Sequence, residues 1–383
     1  PGYGSNEHLG LKQPTSLLMD AQRRYLDKQF GTAANDGFSL EGFTSLTLTE
    51  SSQSNAHLRV ALTTSDPFSY GTAWGYFPSL GETGGDVWLS DVTYDFSNPR
   101  VGNYSNLTMI HEIGHTLGLD HAHQSSAYGI VPAAYDAMEY TITTYRSAVG
   151  ASANQYTNET WGYAQSFMML DIAALQHIYG ADFSTNSGDT VYSWLPGSGQ
   201  TIVDQNIALD PGANRIFATI WDGGGIDTFD LRAYQTDLLI NLRPGEASTF
   251  STTQLAKLGN GNEASGNIYN ALKYQGDQRS LIENVLGGSG KDTMTGNQVE
   301  NVFDGKKGSD TLYGYDASDQ LFGRWGRDKM FGGDAQDLLV GGRGNDYLKG
   351  GNSNDVLKGG ENDDKLFGGR GSDTLFGGKD DDR

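Results

Sequence analysis

Three histidines and a glutamate recur at short intervals in the stretch HEIGHTLGLDH, residues 111–121. On a helix, His111 and His115 would lie four residues apart on one face, where both imidazoles can reach one metal ion. Gly118 permits a sharp backbone turn at little steric cost, and after such a turn His121 could supply a third nitrogen. The glutamate would lie beside that ion without being needed as a ligand.

This pattern predicts a hydrolytic zinc site. Three neutral imidazoles leave zinc an open position for water, and zinc lowers the pKa of that water towards ~7. Glu112, next to the first histidine, could act on such a water without being a ligand. Five fixed residue types in one such window arise by chance in roughly one chain in ten thousand of this length. His123 is an alternative third ligand, but the interval from Gly118 favours His121.

The elements that must hold these residues are predicted from hydrophobic spacing. Residues 105–118 are expected to form a helix that Ser105 caps and Gly118 ends. Residues 17–30 and 164–180 also have helical spacing. Strand-like alternation marks four further segments, 44–51, 56–64, 70–79 and 84–90. The first half of the chain is therefore predicted to be mixed α and β.

From Gly287 onwards the chain repeats with a period of nine residues. The eighth position of each repeat is apolar, and the sixth positions are Asp292, Asn301, Asp310, Asp319, Asp328, Asp337, Asp346, Asp355, Asp364 and Asp373. One apolar residue per repeat lines only a thin core, and stacked rows of carboxylates repel one another. Calcium ions between successive turns, held by the aspartates and by carbonyl groups that glycine leaves accessible, would solve both problems. A parallel β-roll is therefore predicted for about residues 287–383, rather than a flexible glycine-rich linker.

The composition of the 383 residues narrows the function further. A net charge of −21 argues against nucleic acid as a partner and favours bound cations. The absence of cysteine excludes disulfides, thiolate–zinc sites and cysteine nucleophiles. The chain has no apolar run long enough to cross a bilayer, and its first residues, PGYGSNEHLG, lack the basic and apolar regions of a signal peptide.

The extended motif HExxHxxGxxH resembles that of the metzincin zinc proteases. The nine-residue repeats look like RTX calcium-binding repeats, and the two features together resemble the serralysin family of secreted bacterial proteases. The similarity extends to segments such as GTAWGYFP, GGDVWL and SLIENVLGGSGKDT. It implies an α+β metzincin catalytic domain over residues 1–183 and an all-β domain over residues 184–383 that contains the parallel β-roll. It also implies that the three motif histidines bind one zinc ion, with Glu112 as the catalytic base.

The resemblance implies a secreted endopeptidase that acts on proteins or peptides after type I export from a Gram-negative bacterium. We expect a monomer, with a proteinaceous inhibitor as a further partner. Substrate would lie extended beside the strand near residues 73–76 and add a strand to a sheet edge. Two other functions stay open: a calcium-dependent adhesion protein with an inactive metzincin domain, and a zinc hydrolase that acts on something other than peptides.

The resemblance also implies several calcium ions, at the junction of the two domains and within the repeats. The positions that match the junction site of the family are Gly188, Thr190, Asp222, Gly224, Gly225, Asp227, Glu283, Gly288, Gly290 and Asp292. In the repeats, the sixth-position aspartates are accompanied by glycines expected to offer carbonyl oxygens: Gly305, Gly308, Gly341, Gly342, Gly344, Gly368, Gly369 and Gly371. The repeats are expected to fold only when these sites hold calcium.

One segment departs from the family pattern, which has a methionine in a tight turn beneath the zinc. The best match is YTITTY, residues 140–145, which puts Thr143 in place of that methionine. The resemblance then implies that Tyr145 is the tyrosine near the zinc and helps to hold the oxyanion. A second alignment uses Met138 and Tyr140 instead. Threonine in the turn is expected to weaken the packing under the site while leaving the zinc ligands intact.

Overall fold

The structure is a computed structural model that describes residues 10–51, 56–64, 72–125 and 129–383. Residues 70 and 71, the start of a predicted strand, lie outside the described residues. The chain forms two compact units. The first comprises Pro1–Asp182, Ala208–Ile220 and Ala256–Ala264, and the second comprises Phe183–Ile207, Trp221–Leu255 and Ser265–Arg383.

The described part of the first unit contains the α-helices α1 (Ser16–Leu26), α2 (Leu40–Phe43), α3 (Tyr104–Thr116) and α4 (Met169–Tyr179). Helix α1 begins after Thr15, because its Oγ1 accepts the backbone N–H of Leu18 at 3.1 Å. Helix α4 begins later than its hydrophobic spacing predicts, because the Asp171 carboxylate accepts the N–H of Met168 at 2.9 Å and fixes the start there. It ends at Gly180, whose φ of +81° few other residues adopt.

Helix α3 carries most of the histidine motif. Its cap is Asn103, whose Oδ1 accepts the N–H of Asn106 at 2.8 Å. The prediction that Ser105 caps this helix is therefore wrong, and the Ser105 hydroxyl instead donates to the carbonyl oxygen of Asp95 at 2.8 Å. The helix ends at Thr116, and Gly118 then turns the chain with a φ of +99°.

In the described residues, the largest sheet of the first unit has four strands, β1 (Leu11–Lys12), β2 (Arg59–Thr63), β3 (Ala73–Gly75) and β4 (Asp86–Ser90), in the order β1-β2-β4-β3. Strands β2 and β4 are parallel, and β3 runs antiparallel to β4 at the edge of the sheet. The predicted strand over residues 44–51 is wrong, because only Thr44 makes a bridge, to Ala181, and the rest is an irregular surface segment.

The remaining strands are short, and most of them belong to the second unit. They are β5 (Val191–Ser193), β6 (Thr201–Val203), β7 (Asn206–Leu209), β8 (Ala218–Ile220), β9 (Thr228–Asp230), β10 (Leu239–Asn241), β11 (Ala247–Ser248), β12 (Lys257–Gly259), β13 (Asn262–Glu263), β14 (Ile268–Asn270), β15 (Asn284–Leu286), β16 (Thr293–Thr295), β17 (Val302–Asp304), β18 (Thr311–Tyr315), β19 (Gln320–Trp325), β20 (Lys329–Gly333), β21 (Leu338–Arg343), β22 (Tyr347–Asn352), β23 (Val356–Glu361), β24 (Lys365–Arg370) and β25 (Thr374–Lys379).

The repeats form a roll of two parallel sheets. Consecutive repeats contribute strands alternately to a six-stranded sheet, β10-β16-β18-β20-β22-β24, and to a ten-stranded sheet that begins β25-β23-β21-β19-β17-β15. Each strand therefore pairs with the strand two repeats further on, as Leu312 pairs with Met330 and Leu339 with Leu357.

The apolar eighth positions face inward, as predicted. Met294, Phe303 and Leu312 are 0% exposed, as are the equivalent residues up to Leu357. Close stacking of the turns requires glycine, because a Cβ on Gly344 would collide with the carbonyl oxygen of a glycine one double repeat earlier. The predicted fold class, an α+β part followed by an all-β part with a parallel β-roll, is confirmed.

Candidate metal centre and active site

Three imidazole nitrogens converge on one point in the first unit. The Nε2 atoms of His111 and His115 are 3.1 Å apart, those of His115 and His121 are 3.0 Å apart, and those of His111 and His121 are 3.3 Å apart. Within the residues that the structure describes, these histidines form the one group of three or more metal-binding side chains with this spacing. The structure thus brings together the three histidines that the motif predicted.

The outer nitrogens of two of these rings are held by backbone carbonyls. His111 Nδ1 lies 2.7 Å from the carbonyl oxygen of Ile142, and His115 Nδ1 lies 2.6 Å from that of Leu119. Since a carbonyl can only accept, each Nδ1 carries the proton and each Nε2 presents a lone pair. Two lone pairs and the Nε2 of His121 thus meet within 3.3 Å of one another, a donor set that fits a zinc ion between them.

Burial keeps the three rings neutral. It lowers the pKa of His111 and His115 below the usual value for histidine, and it lowers the pKa of His121 to about 4. Neutral imidazole is the form that binds a metal, so the site is ready for a cation at neutral pH without releasing protons. His123 is not part of the group; its ring packs instead against those of His121 and Tyr145, at 5.5 and 5.0 Å between centroids.

Glu112 lies in the wall of the same cavity and is only 7% exposed. Burial raises the pKa of its carboxyl to about 8, and a hydrogen bond from the backbone of Gly75 partly opposes this. A side chain at position 75 would not fit, because its Cβ would lie 2.7 Å from the carbonyl oxygen of Glu112. The edge strand β3 thus brings its backbone directly against the candidate base.

Tyr145 packs against two of the histidines. Its ring centroid is 4.6 Å from that of His121 and 5.6 Å from that of His111. Burial raises the pKa of its hydroxyl to about 12, so the hydroxyl keeps its proton and can donate a hydrogen bond at neutral pH. Tyr140, the tyrosine of the second alignment, packs instead on Tyr135 with 5.2 Å between ring centroids.

The turn beneath the histidines is held by hydrogen bonds. The buried hydroxyls of Thr141 and Thr143 are 3.0 Å apart, and the Thr141 hydroxyl donates to Asp171 at 2.6 Å. The second oxygen of Asp171 accepts the N–H of Ile142 at 2.8 Å. Since the carbonyl of Ile142 orients His111, this chain of contacts connects Asp171 to the metal site.

Sequence reasoning missed this polar floor. On that reasoning, Thr143 in place of the family's methionine only removes an apolar contact. In the structure, the Thr143 hydroxyl has a hydrogen-bond partner, the hydroxyl of Thr141. Two signals were present in the sequence: the Thr-Ile-Thr run at 141–143, and the single aspartate, Asp171, within the otherwise largely apolar segment 164–180.

A cavity of about 800 Å³ contains the histidines, Glu112 and Tyr145. Strand β3 lines one side, with Ala73, Trp74 and Gly75. Four tyrosines form another part of the wall and contact one another, with ring centroids 4.5 to 6.2 Å apart: Tyr94, Tyr104, Tyr156 and Tyr163. No local sequence pattern indicates this group, because its members come from separate segments of the chain. The cavity is large enough for several residues of an extended peptide.

The carboxylates predicted for the junction calcium site come together in the second unit. Asp227 Oδ1 accepts the N–H of Thr190 at 2.7 Å, and Glu283 Oε2 accepts the N–H of Asp227 at 2.8 Å. Asp222 Oδ2 accepts the hydroxyl of Tyr192 at 2.7 Å. Burial and the neighbouring Asp227 raise the pKa of Asp222, and burial raises the pKa of Glu283 to about 8. The pKa values of these carboxyl groups stay raised because, among the described residues, no cationic side chain lies beside them.

The glycines predicted for that site lie close to the same carboxylates. Gly224 donates its N–H to Asp222 Oδ1 at 2.7 Å, and a Cβ on Gly225 would collide with the carbonyl oxygen of Gly188. Gly288 donates to Asp292 Oδ2 at 3.0 Å, whereas Gly290 faces the next turns of the roll, where a Cβ on Gly308 would collide with its carbonyl oxygen.

The repeat aspartates form two rows, and from Asp310 to Asp364 each carboxylate is half satisfied. In each row, Oδ1 accepts the backbone N–H of the sixth-position residue two repeats earlier, as Asp328 does from Asp310 at 2.8 Å. Oδ2 is buried and has no hydrogen-bond partner in the described chain at Asp310, Asp319, Asp328, Asp337, Asp346, Asp355 and Asp364. Burial raises the pKa of Asp310 and of Asp319 to about 8. Buried acceptors without donors fit bound cations.

The predicted glycines keep space open beside these oxygens. A Cβ on Gly305 would lie 2.5 Å from Asp310 Oδ2, and Cβ atoms on Gly341 and Gly368 would collide with the carboxylates of Asp346 and Asp373. Gly342, Gly344, Gly369 and Gly371 all have positive φ, the first and third near the ends of strands β21 and β24 and the other two in the turns that follow. One of the two rows begins with Asn301 in place of an aspartate. Its side-chain amide nitrogen donates to the carbonyl oxygen of Glu283 at 3.0 Å, and this uncharged side chain needs no cation.

Both units are similar to known metallopeptidase families. Residues 181–381 match the family described as peptidase M10 serralysin C terminal, and residues 18–122 and 84–173 match two reprolysin-like metallo-peptidase families of type M12B. Serralysin of Proteus mirabilis is 35% identical over 226 residues, which cover 57% of this chain and 41% of that protein. Metalloprotease AprA of Pseudomonas entomophila is 32% identical over 243 residues, 61% of this chain and 46% of that protein.

The chain spans less than half the length of these curated relatives. Among the described residues, no helix has both the length and the apolar character needed to cross a membrane.

Proposed function

Because this chain belongs to the peptidase M10 serralysin family, we propose that it is a secreted zinc endopeptidase that hydrolyses peptide bonds in proteins. The observation that carries this proposal is the convergence of three imidazole nitrogens beside a buried glutamate, in a cavity wide enough for a peptide. In this proposal residues 1–183 form the catalytic domain, and residues 184–383 form the calcium-binding domain.

The mechanism assigns a separate task to each side chain. His111, His115 and His121 would hold one zinc ion, which supplies Lewis-acid chemistry for the scissile carbonyl and the attacking water. Glu112 accepts a proton from that water as the water oxygen bonds to the carbonyl carbon, and donates it to the amine nitrogen as the C–N bond breaks. The hydroxyl of Tyr145 donates a hydrogen bond to the oxyanion that forms in between.

The substrate would bind as an added strand. Strand β3 lies at the edge of its sheet, and its residues line the cavity next to Glu112. An extended peptide can therefore form main-chain hydrogen bonds with residues 73–76 while its scissile bond reaches the histidines. A proteinaceous inhibitor would bind in the same cavity, and a monomer is sufficient for this chemistry.

Calcium is the second cofactor of the proposal. The unpartnered Asp oxygens of the roll and the acidic group around Asp222 and Asp227 support several structural calcium ions. At the low calcium concentration of a bacterial cytoplasm the repeats would stay unfolded, which suits type I export. They would fold outside the cell, where calcium modules bind at roughly millimolar concentrations.

Digestion of casein tests the proposed function. We expect the purified chain to digest casein in calcium buffer, to stop when phenanthroline removes zinc, and to recover when zinc is added back. An adhesion protein would digest nothing under any of these conditions. A zinc hydrolase with another substrate would leave casein intact but cleave a model ester or amide in a zinc-dependent way.

Tyr145→Phe is expected to lower kcat by roughly ten- to a hundredfold with little change in KM, because the hydroxyl acts on the transition state and not on bound substrate. The measurement is steady-state cleavage of a fluorogenic peptide. Tyr140→Phe is the matched control and should behave like the parent chain, since its ring packs on Tyr135. A loss at Tyr140 with none at Tyr145 would favour the second alignment, with Met138 beneath the site.

A further inference from the structure

One outer face of the β-roll combines aromatic rings with lysines. In strands β18, β20, β22 and β24 the buried residues alternate with residues that point away from the core. Strand pairing places the outward residues in two adjacent rows. We call this surface the lysine–aromatic face, and its residues are Thr311, Tyr313, Lys329, Phe331, Tyr347, Lys349, Lys365 and Phe367.

The rings of this face form a continuous ridge. Tyr313 and Phe331 stack with 5.0 Å between centroids and 10° between planes. Phe331 lies 5.8 Å from Tyr347, and Tyr347 lies 5.2 Å from Phe367. The side chain of Phe367 is 49% exposed although it is large and apolar. The ridge crosses four strands, which at about 4.8 Å per strand makes it roughly 14 Å long.

The lysines lie on both sides of this ridge. Lys329, Lys349 and Lys365 are exposed, and none of the three forms an ion pair with any residue that the structure describes. No outward position of the face carries a carboxylate in the described strands, although the chain as a whole has a net charge of −21. Three ammonium groups without an ion pair in the described chain therefore lie close together on an acidic protein. Two aspartates of the neighbouring turns, Asp363 and Asp381, line the same cavity as Lys329 and Lys365 and offset part of this charge.

The repeat sequence does not force this arrangement. The same repeat positions on the opposite sheet carry a single lysine, Lys358, and their two phenylalanines, Phe322 and Phe376, are separated by the strands of Val340 and Lys358. The clustering thus belongs to one sheet and not to the motif as such.

We propose that the lysine–aromatic face binds an acidic polysaccharide. The flat apolar faces of sugar rings can cover the exposed aromatic edge, which removes apolar surface from water. Uronate carboxylates along the same polymer can pair with the lysines on either side of the ridge, and several weak pairs act together. Nucleic acid fits less well, because its dense negative charge would be repelled by the remaining acidic surface. The face would hold the chain on an acidic matrix, independently of any zinc.

Affinity electrophoresis of the full chain in gels that contain hyaluronate tests this proposal, with dextran gels as the neutral reference. Calcium is kept at one fixed concentration so that the roll has the same state throughout. We expect retardation in hyaluronate and none in dextran, weakened by added salt. The double variant Lys349→Glu, Lys365→Glu should weaken binding about tenfold, since each exposed ion pair contributes at most about a fivefold effect.

The repeats offer matched controls. Lys358→Glu is the same substitution at the same repeat position as Lys349→Glu, on the opposite sheet, and should change binding less than twofold. Phe367→Ala should weaken binding, whereas Phe376→Ala, equally exposed on the opposite sheet, should not. Equal losses of binding within either pair would overturn the proposal. Unchanged binding in the double variant would also overturn it and would indicate that calcium bridges the polymer to acidic residues. Binding to anionic lipid vesicles with none to hyaluronate would also reject it.

Discussion

Glu112→Gln is expected to keep the metal bound and to lose peptidase activity by about a hundredfold or more, because general-base groups usually contribute at least that factor. The Glu112 carboxyl lies in the same cavity as the histidines but is not one of the groups that converge on the metal position. The amide of glutamine has nearly the same shape and can still accept the hydrogen bond from Gly75, but it cannot take up a proton. The measurements are zinc content by elemental analysis and kcat/KM on a peptide.

The pH dependence gives a second measurement on the same variant. Burial raises the pKa of Glu112 to about 8, and a bound dication would lower it again. A base works only when it has lost its proton, so the activity of the parent chain should rise as the pH passes through the pKa that Glu112 has in the metal-bound protein. The residual activity of Glu112→Gln should lack this rise.

Glu41→Gln is the matched control for this variant. Glu41 is also buried, at 5% exposed, but its carboxylate accepts backbone N–H groups of Lys28 and Leu48 away from the cavity. We expect it to cost stability and to leave kcat/KM per folded molecule nearly unchanged. If Glu112→Gln kept more than about a tenth of the parent activity, Glu112 would not be the base.

Removal of calcium at pH 8 is expected to unfold the β-roll. At this pH, which equals the raised pKa of Asp310 and Asp319, the rows of aspartates carry much of their charge although their Oδ2 atoms are buried without partners in the described chain. Two sites occupied at a hundred times their Kd would contribute about 5 kcal/mol. For a domain of this size that corresponds to roughly 10–20 °C in Tm. The measurement is far-UV circular dichroism of the full chain during a calcium titration, with magnesium as the control cation.

The calcium-free chain should regain stability in mild acid. Burial raises the pKa of Asp310 and Asp319 to about 8 in the fold, against about 3.9 for an unfolded aspartate. Between these values the folded roll binds protons that the unfolded chain does not, so its stability increases as the pH falls from 8 towards 5. Calcium should reverse the trend, because protons then compete with it for the same carboxylates.

A β signal that is complete at pH 8 after calcium has been removed by dialysis would contradict this prediction. It would mean that calcium is an accessory to a fold that forms without it. Full recovery with magnesium would instead point to simple charge screening, since magnesium rarely occupies cages made of protein oxygens alone.

The parts of this molecule that the sequence predicted are those encoded over short distances. His111, His115 and His121 lie within eleven positions, so helix geometry and one glycine were enough to bring them together. The β-roll was predictable because the repeats share one sequence pattern, with an apolar residue that faces inward and a carboxylate at the turn.

Features that depend on contacts between distant residues were missed. Asp171 reaches Ile142 across 29 positions, and the cavity tyrosines come from separate segments. Neither leaves a local pattern, because such contacts are decided by tertiary packing. The segment 44–51 shows the opposite error, since it alternates like a strand but has no ladder partner in the described chain.

The alternation of repeats between two sheets has a consequence for how such a tail can change in length. A repeat pairs with the one two steps along, so hydrogen bonds between equivalent residues connect positions 18 apart. Insertion or deletion of a single repeat would move every later strand to the opposite sheet and exchange the surroundings of Lys349 and Lys358. A change of two repeats would leave each residue on its own side. The unit in which this tail can grow or shrink without losing its two-faced surface is therefore the double repeat.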